Sequence, residues 1–159
     1  TAGQAPMGPR TYRECMSAWG SHTGAVRLPD GRLIRGPGIR KPRNGAPDPD
    51  FAVYLLGRDP GVADWPNRWV RWRDFRLPAS TEDAVDALRE AHTRAASQRV
   101  EIACRGGIGR TGTAIAVLAV MSGIPADDAL PWVRANYHPR AVETRGQRAW
   151  IARIAPTLT

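Results

Sequence analysis

The centre of the fold can be read from Val100-Glu101-Ile102-Ala103-Cys104-Arg105-Gly106-Gly107-Ile108-Gly109-Arg110-Thr111-Gly112. Its first residues predict a short buried strand that ends at Cys104. The apolar run 113–121 predicts a helix that begins directly after the loop. The loop between them contains three glycines, which adopt backbone angles closed to other residues: Gly106, Gly107 and Gly109. Such a loop at a helix N-terminus can point its N–H groups inward and bind an anion.

Strands and helices alternate on either side of this stretch. The apolar run Phe51–Leu56 and the aromatic run Trp69–Phe75 predict two further strands. Helices are predicted from Ser80, whose capping box marks the start, and over 126–137 and 144–154. This alternation predicts an α/β fold with a central, mostly parallel sheet flanked by helices.

The length of 159 residues predicts one domain spanning 1–159. Residues 1–50 are rich in glycine and proline, and we expect an irregular segment with one hairpin, its strands on either side of Pro29-Asp30-Gly31. Residues 51–155 are expected to form the core that carries the chemistry.

The net charge of +8 favours anionic partners, although Lys41 is the only lysine and the other 22 basic residues are arginine. Nucleic acid is a less expected partner that the basic charge leaves open. The longest apolar stretch, 114–121, is too short to span a membrane, and residues 1–10 have no apolar core of a signal peptide. We therefore expect a cytoplasmic protein with no membrane partner.

Cysteine and histidine usage gives no sign of a metal centre. Cys15 and Cys104 are the only cysteines, 89 positions apart, and the three histidines are scattered. We expect no metal and no cofactor. Whether Cys15 pairs with Cys104 is left open by the sequence.

Two nucleotide-binding patterns compete for the glycine loop. Gly107-x-Gly109-x-x-Gly112 matches a dinucleotide fingerprint, but no clear strand follows the helix and no acidic residue stands at its end. A phosphate loop of the nucleotide-triphosphatase type needs lysine where Arg110 stands. Neither pattern explains a cysteine and an arginine at the two ends of the loop.

Those two residues carry a resemblance. Cys104-x-x-Gly107-x-x-Arg110-Thr111 resembles the signature Cys-x-x-Gly-x-x-Arg-Ser/Thr of the cysteine-dependent protein tyrosine phosphatase superfamily, in particular its compact bacterial and dual-specificity-like members. The resemblance covers about residues 50–155. It implies a phosphatase fold and the hydrolysis of phosphate monoesters, foremost protein phosphotyrosine, through a phosphocysteine intermediate. A phosphorylated protein or peptide is then the expected partner.

The chemistry of the loop supports that interpretation. Loop N–H groups, the helix dipole and the planar fork of Arg110 neutralise a phosphate dianion and stabilise the thiolate of Cys104, the nucleophile. Thr111 can donate its hydroxyl to the sulfur as it leaves. The phosphate-binding residues are predicted to be Arg105, Gly106, Gly107, Ile108, Gly109 and Arg110.

The reaction also needs an acid for the leaving group. The family takes it from a Trp-Pro-Asp loop, which Trp72-Arg73-Asp74 resembles with Arg73 in place of proline. Asp74 lies 30 residues before Cys104 and is the predicted acid. Asp64, in Asp64-Trp65-Pro66, is the rival, but the order of its motif is reversed and it precedes the strand.

Water for the second step is often held in this family by a late glutamine. Gln147 fits that place, although Thr144-x-x-Gln147 is also a capping box. Ala103 replaces the histidine that many members have before the cysteine. Two alternatives stay open: a phosphate-binding module without turnover, and a sulfurtransferase or arsenate-type cysteine enzyme.

Overall fold

A computed structural model describes residue 19 and residues 24–40, 43 and 45–158. Within that part the backbone forms one five-stranded sheet with the strand order β1-β2-β5-β3-β4. All neighbouring strands run parallel except the first pair, which forms the predicted hairpin. The mostly parallel sheet is therefore confirmed. The strands are β1 Ala25–Arg27, β2 Leu33–Arg35, β3 Phe51–Leu56, β4 Asn67–Arg71 and β5 Val100–Ala103.

Helices follow the strands as the sequence pattern predicts. They are α1 Thr81–Arg94, α2 Gly109–Met121, α3 Ala126–Asn136 and α4 Arg145–Ile154, and a short 3-10 turn, Ala155–Thr157, ends the described chain. The side chain of Ser80 accepts the N–H of Asp83 at the start of α1, and Thr144 forms a capping box with Gln147 at the start of α4. Such caps satisfy backbone donors that a helix leaves unpaired.

The sheet is buried on both faces. All six residues of β3 are buried, as expected for a central parallel strand. Alternate residues such as Val53 and Leu55 share one core with the four helices. Tyr54 and its neighbours face the other way, against Trp65 and Trp69. The helix α2 lies in the middle of this arrangement, with every residue from Gly109 to Val120 buried.

Two features at the carboxyl edge of the sheet differ from the sequence interpretation. The strand predicted over 69–75 ends at Arg71, because its partner β3 ends at Leu56, which is paired with Arg71. Residues 72–78 instead form a loop closed by a bridge between Trp72 and Pro78, hereafter the acid loop. The segment after β2, which the sequence shows only as irregular, pairs with the glycine loop through Gly38.

No helix in the described residues is long and apolar enough to cross a membrane. Cys15 lies outside the described residues, so whether it pairs with Cys104 stays an open question.

Candidate active site

The glycine loop, residues 104–110, closes on the sulfur of Cys104. This thiol is buried at the end of β5, and the backbone N–H of Gly107 points at its Sγ from 3.2 Å. Gly107 has a φ of +76°, and a Cβ there would come within 2.6 Å of the backbone N of Gly38. Only glycine satisfies both requirements, which explains why the motif has glycine at this position.

The first turn of α2 supplies the two other residues of the motif. Arg110 is 3% exposed and Thr111 is 0% exposed. Such burial is unusual for arginine, and it indicates that the surrounding fold holds this side chain in place. Among the described residues, Arg110 Nε and Thr111 Oγ1 have no hydrogen-bond partner. Buried polar atoms without a partner call for an explanation, and two of them beside a thiol at a helix N-terminus indicate a site for a polar ligand.

Arg110 connects the glycine loop to the acid loop. Its Nη1 donates to the carbonyl of Trp72 at 2.9 Å, and its Nε lies 3.6 Å from Oδ1 of Asp74. The Asp74 side chain is about half exposed, and the same oxygen accepts the N–H of Phe75. The structure thus brings together Cys104, Arg110 and Asp74 at one edge of the sheet, whereas Asp64 is exposed and does not line the cavity described below.

Gln147 lies below the acid loop. Its Oε1 accepts the N–H groups of Glu143 and Thr144, and its Nε2 donates to the carbonyl of Arg76 at 3.3 Å. The same carbonyl accepts the indole N–H of Trp72. The amide of Gln147 is therefore engaged on both sides, in the capping box and in holding the acid loop.

Tyr137 is a part of the site that the motif did not reveal. Its hydroxyl, at the end of α3, lies in hydrogen-bonding contact with the carbonyls of Gly36 and Gly107. Burial, and secondarily the charge of Cys104, raises the pKa of Tyr137 well above its usual range, so the hydroxyl remains a donor. No local spacing signals such a contact, because the residues come from three separate segments.

Residues 36–40 brace the glycine loop from outside. The N–H of Ile39 donates to the carbonyl of Cys104 at 2.9 Å, and that of Arg40 to Arg105 at 3.4 Å. A Cβ on Gly38 would come within 2.7 Å of the Arg105 carbonyl oxygen, so the two segments touch backbone to backbone.

A cavity of about 820 Å³ opens over these residues. Its lining comes from the ends of β3 and β4, the loops that follow β3, β4 and β5, the first turn of α2 and Ile39. The charged side chains in that lining are Arg58, Asp59, Arg71, Arg73, Asp74, Arg105 and Arg110. In the part of the chain that the structure describes, no cluster of histidine, cysteine and acidic side chains could hold a metal ion.

Comparisons with known proteins agree with this geometry. Residues 62–151 match the model of the family described as protein-tyrosine phosphatase. The crystal structure of Tk-PTP in the active form superimposes with a TM-score of 0.66 and 29% identity, over 86% of this chain and 99% of that one.

Two relatives from other organisms extend the comparison. A protein of Methanocaldococcus jannaschii, MJ0215, described as uncharacterized, is 32% identical over 65% of this chain and 75% of its own length. Protein tyrosine phosphatase domain-containing protein 1 of Danio rerio is 32% identical over 55% of this chain. The match spans only 12% of that longer protein. The family match covers more than half of the chain, and the chain belongs to the protein tyrosine phosphatase family.

Proposed function

We propose that this chain hydrolyses phosphate monoesters, foremost phosphotyrosine in proteins, through a phosphocysteine on Cys104. The observation that carries the proposal is the geometry around the sulfur. A loop N–H points at Sγ from 3.2 Å, and the buried Arg110 lies 3.6 Å from Asp74 at the same cavity. The family and the solved relative support phosphatase activity.

In the first step the thiolate of Cys104 attacks phosphorus, and the bond to the ester oxygen breaks. Asp74 gives its proton to that oxygen, so an alcohol or phenol leaves. Arg110 and the loop N–H groups bind the phosphoryl oxygens, where negative charge is spread in the transition state. An incoming phosphate takes over Arg110, which frees Asp74 from its ion pair. The released carboxylate takes up a proton from solvent and then faces the ester oxygen as the acid.

In the second step water attacks the phosphorus and the sulfur–phosphorus bond breaks. Asp74, now a carboxylate, accepts a proton from the water, and phosphate is released with the thiolate restored. The hydroxyl of Thr111 donates to the departing sulfur. Gln147 acts here by fixing the acid loop through the Arg76 carbonyl, and it reaches a water only when that 3.3 Å hydrogen bond opens.

Replacement of the nucleophile tests the proposal. Cys104→Ser is expected to lower p-nitrophenyl phosphate hydrolysis at least about 1,000-fold, because a serine hydroxyl is a much weaker nucleophile than a cysteine thiolate. Vanadate should compete with the substrate in the unchanged protein. Full activity of the serine variant would exclude the mechanism, and phosphopeptide binding without phosphate release in the unchanged protein would assign a binding module instead.

Replacement of the acid separates catalysis from binding. Asp74→Asn is expected to lower kcat about 100-fold or more, with a change in KM below about threefold, because proton transfer to the leaving group is lost. Asp59→Asn is the matched control, since Asp59 lines the same cavity and its carboxylate accepts the N–H of Gly61. An unchanged kcat for Asp74→Asn, or an equal loss in both variants, would reassign the acid.

A further inference from the structure

Among the residues that the structure describes, four exposed arginines line the cavity besides the buried Arg110: Arg58, Arg71, Arg73 and Arg105. Within the described residues, none of their guanidinium groups has an ion pair or a hydrogen bond to an acidic side chain. Arg68, by contrast, contacts Asp83, Asp86 and Glu90 on α1. The cavity therefore presents cations that the fold itself does not neutralise.

The sheet topology places these arginines beside the glycine loop. Arg58 follows β3, and Arg71 and Arg73 lie at the end of β4, one and two strands away from β5. Neighbouring strands are about 4.8 Å apart, so the strand ends that carry them lie about 5 and 10 Å from the end of β5. The side chain of Arg73 lies against the end of β3, because its Cγ would be 3.4 Å from a Cβ built on Gly57.

Arg110 and the loop N–H groups are sufficient for one phosphate, and they come from a single loop. The cavity walls beyond them are apolar at Ile39, Leu56 and Pro60, and no aromatic side chain of the described residues lines them. In the part of the chain that the structure describes, Asp59 is the only acidic residue there besides Asp74. Charge, and not ring stacking, is therefore the chief means by which this region can distinguish one substrate from another.

We propose that Arg58, Arg71 and Arg73 form a second anion subsite. It takes a phosphate or carboxylate group that the substrate carries about 5 to 10 Å from the scissile phosphate. The proposal rests on the proposed function only for the position of that scissile phosphate. The second anion can come from an acidic or phosphorylated residue of a peptide, or from a small polyphosphate.

Two phosphotyrosine peptides of equal length test the peptide source. One carries aspartates on both sides of the phosphotyrosine and the other carries alanines. The kcat/KM of the aspartate peptide is expected to exceed that of the alanine peptide at least tenfold at low salt, and 0.5 M NaCl should reduce this preference. In the double variant Arg58→Gln with Arg71→Gln the preference should fall below threefold.

The matched control removes the same charge elsewhere. Arg148→Gln with Arg153→Gln changes two exposed arginines on α4 and should retain the preference. An equal fall in both double variants would overturn the subsite, because net charge alone would then explain the preference.

Inositol hexakisphosphate, compared with inositol monophosphate, tests the small-molecule source by competition with p-nitrophenyl phosphate. The hexakisphosphate is expected to inhibit at least tenfold more strongly than the monophosphate. If this difference is lost in the Arg58/Arg71 variant and kept in the control, it supports the subsite with a polyphosphate as the source of the second anion. A preference in the peptide arm supports it with a peptide as its source. No preference in either arm overturns it.

Binding measurements keep this proposal separate from the proposed function. Calorimetry can measure the Kd of the same peptides and inositol phosphates for Cys104→Ser, with and without the arginine changes. This measurement does not require turnover. If the unchanged protein does not hydrolyse p-nitrophenyl phosphate, the proposed function is contradicted. If the two peptides bind with equal Kd, and the two inositol phosphates also bind with equal Kd, only the subsite is contradicted.

Discussion

Gly107 connects three parts of the site. Its N–H points at Cys104, its carbonyl contacts Tyr137, and its positive φ lets it pack against Gly38. In a trans peptide the C=O and the following N–H point in opposite directions. A Gly107 carbonyl held outward by Tyr137 therefore turns the N–H of Ile108 toward the side where a phosphate binds.

Tyr137→Phe is expected to loosen this peptide without disturbing the fold. Loss of one hydrogen bond is worth about 1 kcal/mol, so vanadate Kd should rise about fivefold and kcat/KM for p-nitrophenyl phosphate should fall comparably. Tyr54→Phe is the control, because its hydroxyl contacts Trp65 on the other face of the sheet. Unchanged vanadate binding in Tyr137→Phe would show that the tyrosine only fills space.

At the scale of elements, α4 positions the acid loop. Trp150 packs edge-to-face on Trp72 with ring centroids 5.4 Å apart, and Gln147 reaches the Arg76 carbonyl from the first turn. The capping box at Thr144 holds that turn, since Gln147 accepts and donates within it. The position of the acid loop thus depends on the capped first turn of α4.

Thr144→Ala is expected to lower the free energy of unfolding by about 1 kcal/mol, because the N–H of Gln147 loses its capping acceptor. Urea denaturation measures this change. Thr144→Ser keeps the hydroxyl and should stay within about 0.5 kcal/mol of the unchanged protein. Equal losses in both variants would mean that the methyl group, and not the cap, stabilises α4.

At the scale of the whole molecule, a buried ion network joins the N-terminal segment to the central sheet. Glu101 on β5 accepts from Arg35 on β2 at 2.6 Å and from Arg43 at 3.1 Å. Glu101 and Arg35 are 2% and 7% exposed. Arg43 also lies over the ring of Trp65, 5.1 Å from its centroid. The strand that ends in Cys104 is thereby tied to the segment that braces its loop.

Glu101→Gln is expected to lower the free energy of unfolding by about 3 kcal/mol, because it removes the buried carboxylate that both Arg35 and Arg43 contact. Asp86→Asn removes one exposed partner of Arg68 and should change it by less than about 1 kcal/mol. Urea denaturation compares the two variants. Similar effects would contradict the role of burial.

Features that depend on local chemistry follow from the amino-acid sequence alone. The glycine loop, the caps at Ser80 and Thr144 and the hairpin turn all follow from backbone conformations and hydrogen bonds within a few residues. The alternation of strands and helices follows from hydrophobic period. For the same reason the family could be identified from Cys104, Gly107, Arg110 and Thr111 alone.

Which distant segments meet depends on the three-dimensional fold. The contact of Asp74 with Arg110, the position of Tyr137 on Gly107 and the arginines after β3 and β4 all depend on strand order and on where each strand ends. The strand predicted through Phe75 shows the limit, because β-prone residues continue past Arg71 while the partner strand does not. Pairing between strands is a property of two segments, so the pattern of one segment cannot specify it.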